Sequence, residues 1–326
     1  MEPREQSRAP IISGINVTGE RLDVDYSSNL VNVVLFFDPV SKISLESLNV
    51  VQFIARRYER LSVGFWYVME PRLSCMYREN IARATLERLK LIDKAIFDAN
   101  NMIVLRARVN LIPAVMMVDS NSYIKSQYEG EISFREIERT IQARLSLTGY
   151  REELPAAGDI DACISQLHGG SVMRQLGYAT GDYLFTSLVV PESDQQFTLP
   201  DFCLPETIYP CGEWFVGRDF IEGKAGSTVY LSCSKNETVN IFAGSENNAV
   251  MKIHSSIESD PSIIPGKDTV RNSNVIEMTV GDFRSYEVLA TSGDTDVLVS
   301  LQIISGAVKI YCVEYCQPSP FVHINI

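Results

Sequence analysis

The sequence is poor in the residues that most often carry chemistry. Its three histidines, at 168, 254 and 323, are scattered too widely to share a metal-ligand spacing. No two of its seven cysteines form a Cys-x-x-Cys pair, and their number is odd. A zinc site is therefore not expected, nor is any other metal or cofactor, and most of the thiols read as small buried hydrophobes. Cys203 and Cys211, across a proline-containing loop, are the one pair that reads as a candidate disulfide. No apolar run approaches the length of a bilayer span, and the start, Met1-Glu2-Pro3-Arg4-Glu5-Gln6, is too polar for a secretory core. Basic residues are in deficit, 29 against 41 acidic, and the net charge of −12 argues against nonspecific binding to nucleic acid or an anionic membrane. Internal repeats and low-complexity tracts are absent. Gly169-Gly170 lacks phosphate-loop spacing, and Ser171 beside them lacks a strand-turn-helix elbow.

What is present suffices for two cores, the default for 326 residues. Val33-Val34-Leu35-Phe36-Phe37 is a short apolar run closed by Asp38-Pro39, the pattern of a buried strand. Leu48, Val51, Ile54, Tyr58 and Leu61 then recur at helical spacing. Ser41 and Ser44 lie at that strand-to-helix junction, where ligands of open α/β sheets bind. A second buried strand covers 62–68, a helix 79–91, a short strand 95–98, and a short helix capped by Asn100-Asn101 runs to Arg108. Pro113 opens a strand that ends at Asp119, and a turn at 119–122 returns the chain as a hairpin. Ser133 with Glu136 forms a capping box for a last helix. Alternating strands and helices make one α/β domain over residues 12–150, after a tail at 1–11.

A linker at 151–169 leads into irregular first strands. From Trp214 the pattern becomes short strands with turns, at 213–221, 227–233, 238–243, 249–254, 275–280, 285–290, 296–304 and 307–315. Glu222-Gly223-Lys224 reads as one of the turns. The expectation is an antiparallel β-sandwich, or jelly roll, over 170–326.

Three segments, "NVVLFFDPVSKIS", "SVGFWYVMEP" and "AIFDANNMIVLRARVNLIPAVMMVDSNSYIKSQYEG", resemble a thioredoxin-like domain of the TlpA type. The pieces "GEWFVGRDFIEGKAGSTVYLSCSKNETVNIFAG" and "IEMTVGDFRSYEVLA" resemble the β-sandwich appended to that domain in DipZ-type thiol-disulfide proteins, which looks like a carbohydrate-binding module. The resemblance covers roughly residues 12–316. It implies that Ser41 and Ser44 occupy the two redox-cysteine positions and that Pro113 is the facing cis-proline. It also implies an extracytoplasmic, bacterial setting; the free thiols and polar start lean towards a cytoplasmic one.

The departure decides the expected function. Disulfide exchange needs a thiolate, and a serine hydroxyl neither ionises readily nor forms a disulfide. The chain is read as a redox-inactive binding protein, not an enzyme, taking an extended peptide between Ser41, Ser44, Ile112 and Pro113. Two alternatives stand beside it. One is a DipZ-type oxidoreductase seen as a Cys-to-Ser variant. The other is a carbohydrate-binding protein with Trp214 and Tyr230 as stacking platforms, although a core role suits Trp214 better. Ser41 also reads simply as a helix N-cap, Lys42 as an anion ligand at that helix start, and Cys75 as a packed thiol.

Overall fold

The computed structural model describes residues 7–130, 134–150, 154–155, 171–179, 189–255, 262–272, 275–292 and 296–316. Packing divides the chain into two units at His168/Gly169. The amino-terminal unit contains, in chain order, a hairpin of β1 (Ser13–Ile15) and β2 (Arg21–Asp23), β3 (Val31–Phe37), α1 (Lys42–Arg57), β4 (Val63–Met69), α2 (Glu79–Arg88), β5 (Ala95–Phe97), α3 (Met102–Ala107), β6 (Ala114–Asp119), β7 (Ile124–Glu129) and α4 (Phe134–Leu147).

Five of these strands form one sheet in the order β5-β4-β3-β6-β7. β3, β4 and β5 run parallel, and β6 and β7 join antiparallel. β3 is buried at every residue because helices cover both faces. Val34 and Phe36 pack with Ile103, Val104 and Ala107 of α3 on one side. Alternation sends Val33, Leu35 and Phe37 to the other side. There α1 and α4 supply Leu48, Val51, Ile54, Ile137, Ile141 and Leu145, all buried. The one polar residue of β3 is satisfied: the Asn32 amide donates to the Tyr26 carbonyl at 2.8 Å and accepts from the Trp66 indole at 3.2 Å.

One local expectation fails. Asn101 precedes α3 in a left-handed conformation (φ 55°) and its side chain caps nothing. The cap comes instead from Asp98, whose Oδ2 accepts the backbone N–H of Ile103 at 2.9 Å and of Val104 at 3.0 Å. The Ser133 capping box lies outside the described residues.

The carboxyl-terminal unit is all β. Its strands are β8 (Ser171–Gln175), β9 (Ser193–Phe197), β10 (Thr207–Val216), β11 (Ile221–Lys224), β12 (Thr228–Cys233), β13 (Thr238–Gly244), β14 (Ala249–Ser255), β15 (Ile263–Pro265), β16 (Thr269–Asn272), β17 (Val275–Val280), β18 (Arg284–Thr291), β19 (Val297–Ser305) and β20 (Ala307–Cys316). Every pairing is antiparallel, on a path β15-β18-β13-β20-β11-β10-β12-β19-β14-β17-β16 with β8 and β9 attached to β20 and β10.

β10 belongs to two sheets. Thr207–Cys211 pairs with β12, whereas Gly212–Val216 pairs with β9, and its last three residues also with β11. The change falls at Gly212, whose φ of 91° suits glycine alone. The two halves fold over one core that holds Trp214 and Ile221 from one sheet and Leu231 and Val299 from the other.

The expected strand 213–221 is thus two strands, broken where the Gly217 N–H donates to the Phe220 carbonyl at 2.9 Å. Glu222-Gly223-Lys224 lies within β11, not in a turn; the turn follows at Ala225-Gly226, with Gly226 at φ 97°. Cys203 and Cys211, the candidate disulfide pair, are both free thiols. The linker at 151–169 (apart from Leu154-Pro155), Cys163 and His168 lie outside the described residues.

Candidate functional site

The site starts from how β3 ends. Its carboxyl end delivers Asp38, a buried carboxylate whose Oδ1 accepts the backbone N–H of Val40 at 2.9 Å. That Asx turn shapes the loop into α1. Ser41 is then the N-cap: its backbone is extended (φ −76°, ψ 127°) and its Oγ accepts the N–H of Ser44 at 3.5 Å. Ser44, in the first turn of α1, is completely buried, and its Oγ has no hydrogen-bond partner among the described residues. The two hydroxyls therefore differ: one caps a helix at a half-buried position, and the other is enclosed and unpaired.

Residues remote in sequence join this end through the register. β6 runs antiparallel to β3 with Ala114 opposite Phe36, which puts Ile112 and Pro113 at the carboxyl end of β3. The Ile112–Pro113 peptide bond is cis. Pro113 is buried and Ile112 half-buried, while Leu111 is exposed. The loop is tied to β7: the Pro113 carbonyl accepts from the Gly130 N–H at 2.8 Å, and Glu129 Oε2 accepts the N–H groups of Asn110 at 3.1 Å and Leu111 at 3.3 Å.

The same rim carries three acids that the reading of the sequence passed over. Phe37 pairs with Met69, and Met69 with Phe97, so Asp38, Glu70 and Asp98 follow in register at the ends of three adjacent parallel strands. All three are buried. Arg72 bridges two of them, with Nε 3.3 Å from Glu70 and 3.9 Å from Asp38. Burial pushes the Asp38 carboxyl up to about 6; Glu70 adds to the rise, and the Val40 N–H and Arg72 oppose it. In the sequence each acid merely follows an apolar run, as Phe37-Asp38, Met69-Glu70 and Phe97-Asp98, and nothing there sets the three beside one another.

These strand directions, with two helices covering one face and α3 the other, decide the architecture. The amino-terminal unit has a thioredoxin-like fold. No protein-family model and no curated protein matches the chain. Solved structures do resemble it. A candidate thioredoxin from Neisseria meningitidis aligns at 16% identity, over 44% of this chain and 92% of its own, with a TM-score of 0.38. A secreted disulfide oxidoreductase of Mycobacterium tuberculosis aligns at 15% identity, over 40% and 95%, with a TM-score of 0.34. The exposed lipoprotein thioredoxin Etrx1 of Streptococcus pneumoniae aligns at 16% identity, over 41% and 99%, with a TM-score of 0.34.

The other candidate residues separate. Trp214 is wholly enclosed: its indole N–H donates to the Cys211 carbonyl at 3.1 Å, and its ring lies against Gly223. It has no free face on which a sugar could stack, so the platform reading of this residue gives way to the core one. Tyr230 is half-buried on β12, opposite Tyr209 and Ser300. Tyr209 and Tyr286 are buried, with their hydroxyls engaged by backbone groups at Leu204, Gly281 and Asp282. Among the described residues no cluster of three or more His, Cys, Asp or Glu side chains is disposed to hold a metal. No described helix is long and apolar enough to cross a membrane.

Proposed function

We propose that the chain is a redox-inactive, thioredoxin-like binding protein that accepts an extended protein segment at the end of the sheet that carries Ser41, Ser44, Ile112 and Pro113, the half-buried Ser41 and Ile112 offering the contact surface and the enclosed Ser44 and Pro113 backing it. Its all-β unit, of the jelly-roll type, serves as an accessory module. One observation carries the reading: hydroxyls, not thiols, stand at the N-cap and first turn of α1. A hydroxyl with no adjacent base is not a nucleophile towards sulfur. Among the described thiols, Cys75, Cys233, Cys312 and Cys316 are buried, and burial pushes the Cys203 and Cys233 thiols up, which disfavours the thiolate in each.

A binding role uses what remains. Leu111 is exposed and Ile112 half-buried at the same end of the sheet as the start of α1, so apolar surface is available there to an extended chain. The test has two arms on the full chain. In an insulin-reduction assay with dithiothreitol, no acceleration over background is expected; turnover overturns the redox-inactive reading. In a titration with a reduced, carboxymethylated unfolded protein, saturable binding is expected, weakened about tenfold by Ile112→Asp. Equal binding by the variant removes the peptide site from this end of the sheet.

A further inference from the structure

The amino-terminal unit also holds a cavity of about 150 Å³ at the opposite end of β3, away from Ser41. Its walls are largely apolar, with Val31, Met117 and Leu147 among them, and three charged side chains, Asp119, Lys125 and Arg144, reach it. These charges are not equivalent. Asp119 is fully engaged: Oδ1 accepts the backbone N–H of Asn121 at 3.0 Å and of Tyr123 at 2.8 Å, and Oδ2 lies 2.8 Å from Lys125 Nζ. Against the effect of burial, those bonds hold its carboxyl below the usual range.

Arg144 is different. It lies half-buried in the last turn of α4, and its guanidinium has no hydrogen bond or ion pair among the described residues. With Lys125 balanced by Asp119, the cavity is left with one uncompensated positive charge. A planar fork of free donors beside apolar walls suits a carboxylate carrying an apolar body. The hollow is open to solvent along Leu147, which is exposed, and its volume of about 150 Å³ is on the scale of a single small ring.

We propose that this cavity binds a small monocarboxylate, its charge paired with Arg144 and its apolar body against Met117 and Leu147. The site is independent of the Ser41 end of the sheet and of the function proposed for it. A cation in the last turn of a helix is also favourable by itself, and the experiment separates the two roles.

The probes are benzoate and benzyl alcohol, which share a ring and differ in charge, followed by methyl-detected NMR on the full chain. Benzoate is expected to shift the Met117 and Leu147 methyl signals saturably, with benzyl alcohol at least about tenfold weaker. Arg144→Gln should lower benzoate affinity to the level of the alcohol, and Arg144→Lys should keep part of it. Absence of saturation, shifts confined to other regions, or unchanged benzoate binding by Arg144→Gln overturns the proposal, and the last leaves Arg144 as a helix-end charge only. If Arg144→Gln does not fold, the wild-type comparison still decides: equal affinity for the two probes rules out carboxylate recognition.

Discussion

Asp38 places a carboxyl where burial opposes its charge. Folding raises its pKa from 3.8 to about 6, so the folded protein holds that proton more tightly than the unfolded one. Between those two values unfolding releases a proton, and stability falls as pH rises. The cost is absent below about pH 4, complete above about pH 6, and on the order of 3 kcal/mol. Asp38→Asn keeps an acceptor for the Val40 N–H and removes the charge, at the loss of a long contact to Arg72. The variant should be about 1–2 kcal/mol more stable than wild type near pH 7.5 and indistinguishable from it near pH 4, as read by urea unfolding. Lower stability at the higher pH would show that the ion pair outweighs desolvation. Glu237, in the other unit, is also raised by burial, to about 7, so only the difference between the two proteins isolates Asp38. The two serines were legible in the sequence because they interrupt the change from strand run to helical spacing. The acid trio was not, because each acid reads singly as a turn residue and only the parallel register sets them side by side.

At the scale of elements, periodicity located β3, α1, β4 and α2 to within a few residues, because each buries a continuous face. It failed where strands lack such a face. β8 (SVMRQ) is half-buried throughout, and β9 (SDQQF) alternates in burial but sets no apolar residue on its inner face before Phe197, so the sequence of neither alternates in hydropathy. It failed also where glycine misled. Gly223 resembles a turn residue but lies mid-strand because the Trp214 ring occupies the space of a side chain. A Cβ there would fall 2.6 Å from Trp214 Cζ3 and 2.8 Å from Ile303 Cδ1. Both neighbours are fully buried and cannot retreat. Gly223→Ala should therefore destabilise the carboxyl-terminal unit by about 1–3 kcal/mol, seen as a lower thermal midpoint. An unchanged midpoint would mean that the ring has room to move.

At the scale of the whole molecule, the order of an α/β half and an all-β half was readable, since helical and alternating patterns barely overlap along the chain. Each half has its own core. Scanning calorimetry should accordingly give a calorimetric enthalpy larger than the van't Hoff value. Gly223→Ala should move one component of the transition and Asp38→Asn the other. A single transition with equal enthalpies, shifted as a whole by either variant, would show one cooperative unit instead.

β20 gives the second half an order of assembly. One edge of this strand pairs with β13, and the other pairs first with β11 and then with β8, which begins at Ser171. During synthesis the first half can settle while the ribosome is still adding the second, but β8, β11 and β13 emerge without the partner they share. They acquire it only when translation passes Cys316, so a nascent chain halted before Ala307 carries three unmatched strand edges into the crowded cell.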